Sequence, residues 1–208
     1  LIELVGDKDV TVAANCNLSN YFENTKNIGF QYVRYLERSS VNWDYGLFGI
    51  NYIHPDLLKS GKWFSIQTEK VFFHHDNPVV VLLKRTNKSD MKGIKMIDTG
   101  NLDEAKILIE RVLSQDINNV WLYAQLAKIS EKQDDFKSFE RYLQKGREIY
   151  PSYEPFILLE AQQFYKEKNY LRAKEVLDEL TKVNQSYRPA LPLIEAVRQK
   201  MQNKSNTI

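Results

Sequence analysis

Chemistry in a protein needs nucleophiles, acids and bases, or metal ligands at workable spacing. This chain has one cysteine, Cys16, and three histidines, His54, His74 and His75. Cys16 has no activating partner nearby in sequence, so a structural thiol is expected. His74 and His75 are adjacent in a strand-like run, which sends their rings to opposite faces, one to the core and one to solvent. That is poor geometry for sharing a metal. His54 precedes Pro55 and reads as a turn residue rather than a base. Gly46-Leu47-Phe48-Gly49 lacks the spacing and the lysine of a phosphate-cradling loop. Asp44 could act as a catalytic carboxylate, yet no partner carboxylate is visible beside it. The chain is therefore expected to carry no metal, no cofactor and no assigned catalytic residue.

Composition narrows the classes further. Net charge is +2, far from the concentrated basic stripe of a nucleic-acid binder, so no nucleic-acid partner is expected. Apolar runs such as Val79 to Leu83 and Phe156 to Leu159 are much shorter than the roughly 20 residues of a membrane span. A single cysteine excludes a disulfide framework. The chain starts at Leu1 without a leader, which predicts a fragment or processed product.

The two halves differ. Residues 1–87 hold 9 Lys+Arg, 9 Asp+Glu, 13 of the 25 aromatics and every histidine, while residues 88–208 hold 20 Lys+Arg and 18 Asp+Glu. The first half is aromatic and charge-poor, and the second has the mixed charge of exposed helices. The polar stretch Lys84 to Ser89 reads as a linker. Before it, strands are predicted at Val10–Ala14, Ile28–Tyr35 and Asp44–Ile50, with a short helix at Leu18–Glu23 and a helix start at His54–Lys59. Val71–His75 and Val79–Leu83 flank Asp76-Asn77-Pro78 as a hairpin. The sum is a small α/β unit with a mixed sheet, over 1–87.

The second half repeats itself every 34 residues. Gly93, Ala127 and Ala161 share a column, as do Leu102, Phe136 and Tyr170. Ala105, Phe139 and Ala173 form a third, Ile109, Leu143 and Leu177 a fourth, and Val112, Gly146 and Leu180 a fifth. Small residues in the first and third columns let two antiparallel helices approach closely, and the second column plugs the gap at their turn. Asn101, Asp135 and Asn169 sit where N-caps are wanted, and Pro151 closes the second unit. On these residues the segment resembles tetratricopeptide repeats, whose period is about 34 residues. Three repeats are expected at about 88–119, 120–153 and 154–187, with a capping helix at 188–202. The fold class is thus α+β: the α/β unit, then an all-α superhelix. Phe139 in a small-residue column should shift the packing of repeat two, and Ile117 and Gln185 stand where a closing proline is usual.

Such arrays bind along the concave face lined by the first helix of each unit. That face is expected to carry Trp121, Ala124, Lys128, Glu131 and Lys132 from repeat two. Repeat three would add Pro155, Leu158, Gln162, Tyr165 and Lys166, and repeat one Asp90, Ile94, Ile97 and Asp98. Trp121 and Tyr165 either pack between repeats or anchor a peptide. Where chaperone-binding relatives clamp a C-terminal carboxylate, this chain has Asp90, Ile94, Gln125, Pro155 and Leu159, so that clamp is absent.

A second resemblance rests on Tyr32-Val33-Arg34-Tyr35-Leu36-Glu37-Arg38, Trp43-Asp44-Tyr45-Gly46-Leu47-Phe48, Ile53-His54-Pro55-Asp56-Leu57-Leu58 and Leu82-Leu83-Lys84-Arg85. These runs are similar to the C-terminal soluble region of membrane glycosyltransferases of Bacteroides-group bacteria, related to protein O-mannosyltransferases. That resemblance implies a non-cytoplasmic, periplasmic accessory region, with any membrane contact made by an upstream segment. Two other readings remain: a free-standing adaptor, then cytoplasmic, and a small carbohydrate-active enzyme. The last would use the aromatics Trp43, Tyr45, Phe48, Tyr52, Trp63 and Phe64, which either stack sugars in an open cleft or fill a core.

Overall fold

The computed structural model describes residues 2–17, 25–63 and 67–205. The helix expected at Leu18–Glu23 and the side chain of Phe64 lie outside these residues. The chain divides into two compact units, Leu1–Ile149 and Tyr150–Ile208.

In the first unit a one-turn helix, α1 (Ile2–Val5), precedes a five-stranded sheet. Its strands are β1 (Val10–Ala14), β2 (Ile28–Tyr32), β3 (Tyr45–Gly49), β4 (Thr68–His74) and β5 (Asn77–Lys84). Their order is β2-β1-β3-β5-β4, with β1 parallel to β2 and β3, and β5 antiparallel to β3 and β4. The sheet is therefore mixed. Interior strands read as apolar runs because both faces are covered: Val12-Ala13-Ala14 and Val81-Leu82-Leu83 are buried throughout. Asn15 extends the β1–β3 pairing with its side chain, donating from Nδ2 to the Gly49 carbonyl at 3.0 Å and accepting from Gly49 N at 2.8 Å. Gly46 does not weaken β3. A Cβ there would lie 2.5 Å from the Phe48 ring, so the glycine makes room for a core aromatic.

Three expectations need correction here. β2 stops at Tyr32, and Tyr35–Ser40 forms a 3-10 turn that carries Arg38 inward. The hairpin turns at His75-Asp76, with His75 at φ 49°, and Asn77 and Pro78 already belong to β5. Pro78 is tolerated because it faces Phe73 at an irregularity of the ladder. Lys84–Ser89 is no open linker, since Arg85 is buried and Asp90 just beyond it is fully buried. The compact units part at Ile149–Tyr150, so the helices between Ser89 and Ile149 fall in the same unit as the sheet. The helix predicted at His54 forms as α2 (Pro55–Lys59), with His54 as its N-cap.

Four further helices complete the first unit: α3 (Ser89–Asp98), α4 (Leu102–Leu113), α5 (Val120–Lys132) and α6 (Phe136–Ile149). They pair as hairpins α3/α4 and α5/α6. The second unit holds α7 (Glu154–Lys166) and α8 (Tyr170–Val183) as a third hairpin, then α9 (Leu191–Ser205) after a 3-10 turn. The small-residue columns are buried: Gly93, Ala127 and Ala161, and Ala105, Phe139 and Ala173. The helix of Phe139 differs in one column: α6 leaves Leu143 half-buried, whereas Ile109 and Leu177 are buried there. The turn-plug column does not hold for Phe136, which is exposed.

Each hairpin turns by the same backbone device. Gly100, Asp134 and Lys168 have φ of 80°, 55° and 61°. The next N–H in each case reaches back five residues: Asn101 to Met96 O, Asp135 to Ser130 O and Asn169 to Phe164 O, all at 2.9 Å. This closure satisfies carbonyls that a helix end would leave open. Asp135 and Asn169 then cap the following helices, accepting from Ser138 N at 3.1 Å and Arg172 N at 3.3 Å, but Asn101 makes no side-chain cap. On α9, Glu195 occupies the column of Gly93, Ala127 and Ala161 and pairs with Arg198. A charge at that close-packing position gives the last helix the polar outer face of a cap.

A left-handed backbone disfavours a lysine, costing roughly 1–2 kcal/mol against glycine. Lys168→Gly is expected to raise unfolding free energy by about 1 kcal/mol. Gly100→Ala should lower it by a similar amount. Urea unfolding midpoints of the two variants against the parent check both signs.

Candidate functional site

The residues singled out for chemistry do not assemble a catalytic site. Asp44 Oδ2 accepts from Thr11 N at 2.7 Å, and Oδ1 accepts from Lys88 Nζ at 2.6 Å. Partial burial pushes its pKa up, but the Lys88 bond, the Thr11 N–H and the charges of Lys88 and Arg85 together hold it below the usual carboxylate range. Asp44 is thus an ionised tether rather than a proton donor. His54 Nδ1 accepts from Asp56 N at 3.3 Å, which is the cap of α2. His74 and His75 are both exposed, with ring centroids 4.4 Å apart, so the expected core-and-solvent division fails because His75 lies in the turn. Cys16 is half-buried and burial pushes its thiol pKa up, away from a reactive thiolate. Among the described residues, no group of three or more His, Cys, Asp or Glu is placed to hold a metal ion.

The aromatics fill a core. Trp43, Phe48 and Trp63 are buried and Tyr45 is half-buried, while Tyr52 stands alone at 61% exposure. Tyr35 meets Phe48 edge-on at 5.2 Å and donates its hydroxyl to the Trp63 carbonyl. A sugar-stacking cleft is therefore replaced by a closed cluster.

Beneath that cluster lies a buried polar network that the sequence did not reveal. Arg38 and Asp116 are 1% and 2% exposed, and they pair through Nε–Oδ2 at 3.0 Å and Nη2–Oδ1 at 2.8 Å. Arg38 Nη1 also donates to the Tyr35 carbonyl, and Trp43 Nε1 donates to the Arg38 carbonyl. Asn119 Nδ2 bonds both Asp116 Oδ2 and Ser39 Oγ, while its Oδ1 accepts from Leu122 N and so caps α5. A second pair, Arg85 with Asp90, ties the end of β5 to the start of α3, with Arg85 stacked 5.2 Å from the Trp43 ring and donating to Val41 O. At the same end of the α5/α6 hairpin, Lys62 Nζ donates to the Glu148 carbonyl of α6. Arg38 and Asp116 stand 78 positions apart, and a single sequence carries no signal that joins them.

The residues expected on the binding face differ in exposure. On α5, Trp121 and Gln125 are half-buried and Lys128 and Lys132 are exposed, at positions that form one helical stripe. Every other residue of α5 is buried except Glu131, which is half-buried beside the stripe. Ala124 is corrected: at 1% exposure it is core. Lys128 makes no ion pair or hydrogen bond among the described residues. Protein packed around its ammonium lowers its pKa, with Glu131 opposing and Lys132 adding to that shift. On α7, Gln162 and Tyr165 are half-buried and Lys166 is exposed, but Leu158 is buried in the second unit's core and is corrected. Tyr165 packs 5.4 Å from the Tyr170 ring of its own hairpin. Pro155, Ile94 and Ile97 are half-buried and Asp98 is exposed, whereas Asp90 is buried, pairing with Arg85 through Oδ2 and accepting from Met91 N at Oδ1. At the carboxylate-clamp positions, Asp90 and Leu159 are buried, so nothing there presents a cation.

No protein-family model matches the chain, and no curated protein matches it. Solved structures of tetratricopeptide (TPR) domains do. The first TPR domain of human RPAP3 is 18% identical, with 58% of this chain and 94% of that one covered at a TM-score of 0.49. The first TPR of Spaghetti (RPAP3), bound to the HSP90 peptide SRMEEVD, is 17% identical over 55% and 93%, also at 0.49. The TPR2B domain of yeast Sti1, in a complex with Hsp70, is 15% identical over 56% and 95%, at 0.48. This likeness carries no ligand over to this chain. The 34-residue hairpin period and the repeated turn closure, seen directly, make the helical region tetratricopeptide-like.

Removing one partner of a buried ion pair leaves a charge in a dry place, which costs about 3–5 kcal/mol. Arg38→Met or Asp116→Leu alone should destabilise by about that much. The Arg38→Met/Asp116→Leu pair should recover much of the loss. Chemical denaturation of the three variants tests this, and a double variant no better than the singles would overturn it.

Proposed function

We propose that this chain is a non-catalytic protein-interaction region that holds a protein or peptide partner on the exposed stripes of its first-of-hairpin helices. The carrying observation is α5, whose residues are buried except for the stripe Trp121, Gln125, Lys128 and Lys132 and the half-buried Glu131 beside it. The half-buried indole of Trp121 on this stripe is of the residue type in which interfaces are enriched. On α7 the corresponding polar surface is Gln162, Tyr165 and Lys166. Balanced charge speaks against nucleic acid. The closed aromatic core and the tethered Asp44 speak against a carbohydrate-active enzyme.

The wider setting we propose is an accessory region on the non-cytoplasmic side of a membrane glycosyltransferase-like protein. It rests on the sequence resemblance and on the order of the parts, α/β unit before helical hairpins. Among the described residues no helix is long and apolar enough to cross a membrane, so any span belongs to another segment of such a protein. A free-standing adaptor is the other reading of the same face.

The binding reading is tested by capture from extracts of the source cells. The parent chain is expected to retain a partner that Trp121→Ala and Lys128→Glu, combined, retain at no more than a tenth of the level. Equal retention moves the binding surface elsewhere. The setting is tested at the gene: several upstream apolar segments of about 20 residues are expected, and their absence leaves the adaptor reading.

A further inference from the structure

A pattern of α4 returns on α8, and on α4 its use is visible. Two repeat lengths carry Lys106, Ile109 and Glu110 onto Lys174, Leu177 and Asp178. In the first unit, Lys106 and Glu110 receive a side chain of the next hairpin. Tyr142 of α6 is 4% exposed, donates its hydroxyl to Glu110 Oε1 and has Lys106 Nζ 5.9 Å from its ring centroid. Arg141 beside it donates to the same hydroxyl at 2.9 Å. The helix α6 thus lies against α5 of its own hairpin and α4 of the hairpin before, with Tyr142 set between two opposite charges.

The corresponding groove of the second unit runs between α8 and α9. Lys174, Leu177 and Asp178 line it from one side and Ile194, Val197 and Met201 from the other, around a cavity of about 240 Å³, and none of the residues lining it is aromatic. A cavity of about 150 Å³ already holds a benzene ring. Ile194 and Val197 stand two repeat lengths beyond Leu126 and Ile129 of α5. Exposure separates the two grooves: Lys106 is half-buried and Leu113 and Leu126 are buried, whereas their counterparts Lys174 and Thr181 are exposed and Ile194 is half-buried. Lys174 and Asp178 pair with each other at 2.6 Å, with 52% and 57% of their side chains exposed. An ion pair that open contributes little, so a phenol can part it with little loss.

We infer that the groove between α8 and α9 receives a helix of another protein, one that presents a tyrosine as α6 presents Tyr142. The ring enters between Leu177 and Ile194, the hydroxyl donates to Asp178, and Lys174 covers the ring face, where the π-electrons attract a cation. The contact repeats between chains an interface that the first unit already makes within itself. A second copy of this chain is a poor source of the helix, because every tyrosine on α3 to α9 is buried or half-buried in its own chain. The α5 stripe takes no part, so this site stands or falls independently of the face proposed above.

The test uses the full chain and a fluorescein-labelled peptide with the sequence of residues 135–149, acetylated and amidated at its ends. Anisotropy is expected to rise saturably, and the methyl resonances of Leu177, Ile194, Val197 and Met201 are expected to shift in NMR spectra. A peptide with alanine in place of its tyrosine should bind about tenfold more weakly or worse. With phenylalanine there, binding to the parent should weaken about threefold, the loss of one hydrogen bond. Asp178→Asn should bind the phenylalanine peptide as tightly as the parent does and gain nothing from the tyrosine, a result a misfolded variant could not give. Equal binding of the tyrosine and alanine peptides, shifts confined to Ile109, Leu126 and Ile129, or no binding at all overturns the inference. A dimer of the parent that Ile194→Glu abolishes also overturns it, because the groove then belongs to a second copy.

Discussion

Arg38 and Asp116 can be buried only together, and most of the first unit is arranged so that they are. A guanidinium or a carboxylate taken from water alone costs several kcal/mol, which an apolar core cannot return. Bidentate pairing offsets that cost only when the remaining donors and acceptors are also met. Here they are met by the Tyr35 carbonyl, Asn119 and Ser39, and the Trp43 indole bonds the backbone of Arg38 itself. The 3-10 turn Tyr35–Ser40, the loop before α5 and the indole of Trp43 are therefore held in mutual register. Arg85 and Asp90 repeat the logic one step away, between β5 and α3. The consequence is that sheet and first two hairpins form one body.

That arrangement assigns different tasks to parts of one repeat array. The first two hairpins are consumed at their open end by the α/β unit, through Arg38, Arg85 and Lys62. A helix hairpin fixed in this way loses the freedom that a solenoid of bare repeats has. It gains a rigid mounting for whatever its exposed face carries. On α5 that face is narrow, a single stripe beside which only Glu131 is half-buried. The α7/α8 hairpin and α9 fold around their own core of Ile157, Ala161, Ala173, Val176, Leu177, Leu180 and Val197.

The hairpin turns show how repetition survives without repeated residues. Gly100, Asp134 and Lys168 share a left-handed backbone and the same long back-bond, yet their side chains have nothing in common. The back-bond is made by main chain, so the geometry persists where the residue is ill suited to it. Columns that depend on side-chain volume behave differently. Phe139 enters a small-residue column, and along its helix Tyr142 is buried but Leu143 only half-buried, where the third hairpin buries both Val176 and Leu177.

Periodicity determined the helices. Spacing at 34 residues located the three hairpins and the cap, because small and apolar residues recur wherever two helices must touch. Alternation and apolar runs located the strands, and the mixed sheet followed from their number and length. Local signals also placed Lys128 and Lys132 on the exposed side of α5, with Trp121 half-buried in line with them. Only the tertiary structure decided which polar residues go inside. Arg38, Arg85, Asp90 and Asp116 look like surface charges in sequence, since pairing across long separations leaves no local trace. For the same reason Lys84–Ser89 read as a linker when it is an anchor, and Ala124 and Leu158 read as surface when they are core. A helix face is legible from its period, but what covers that face depends on elements far away in the chain.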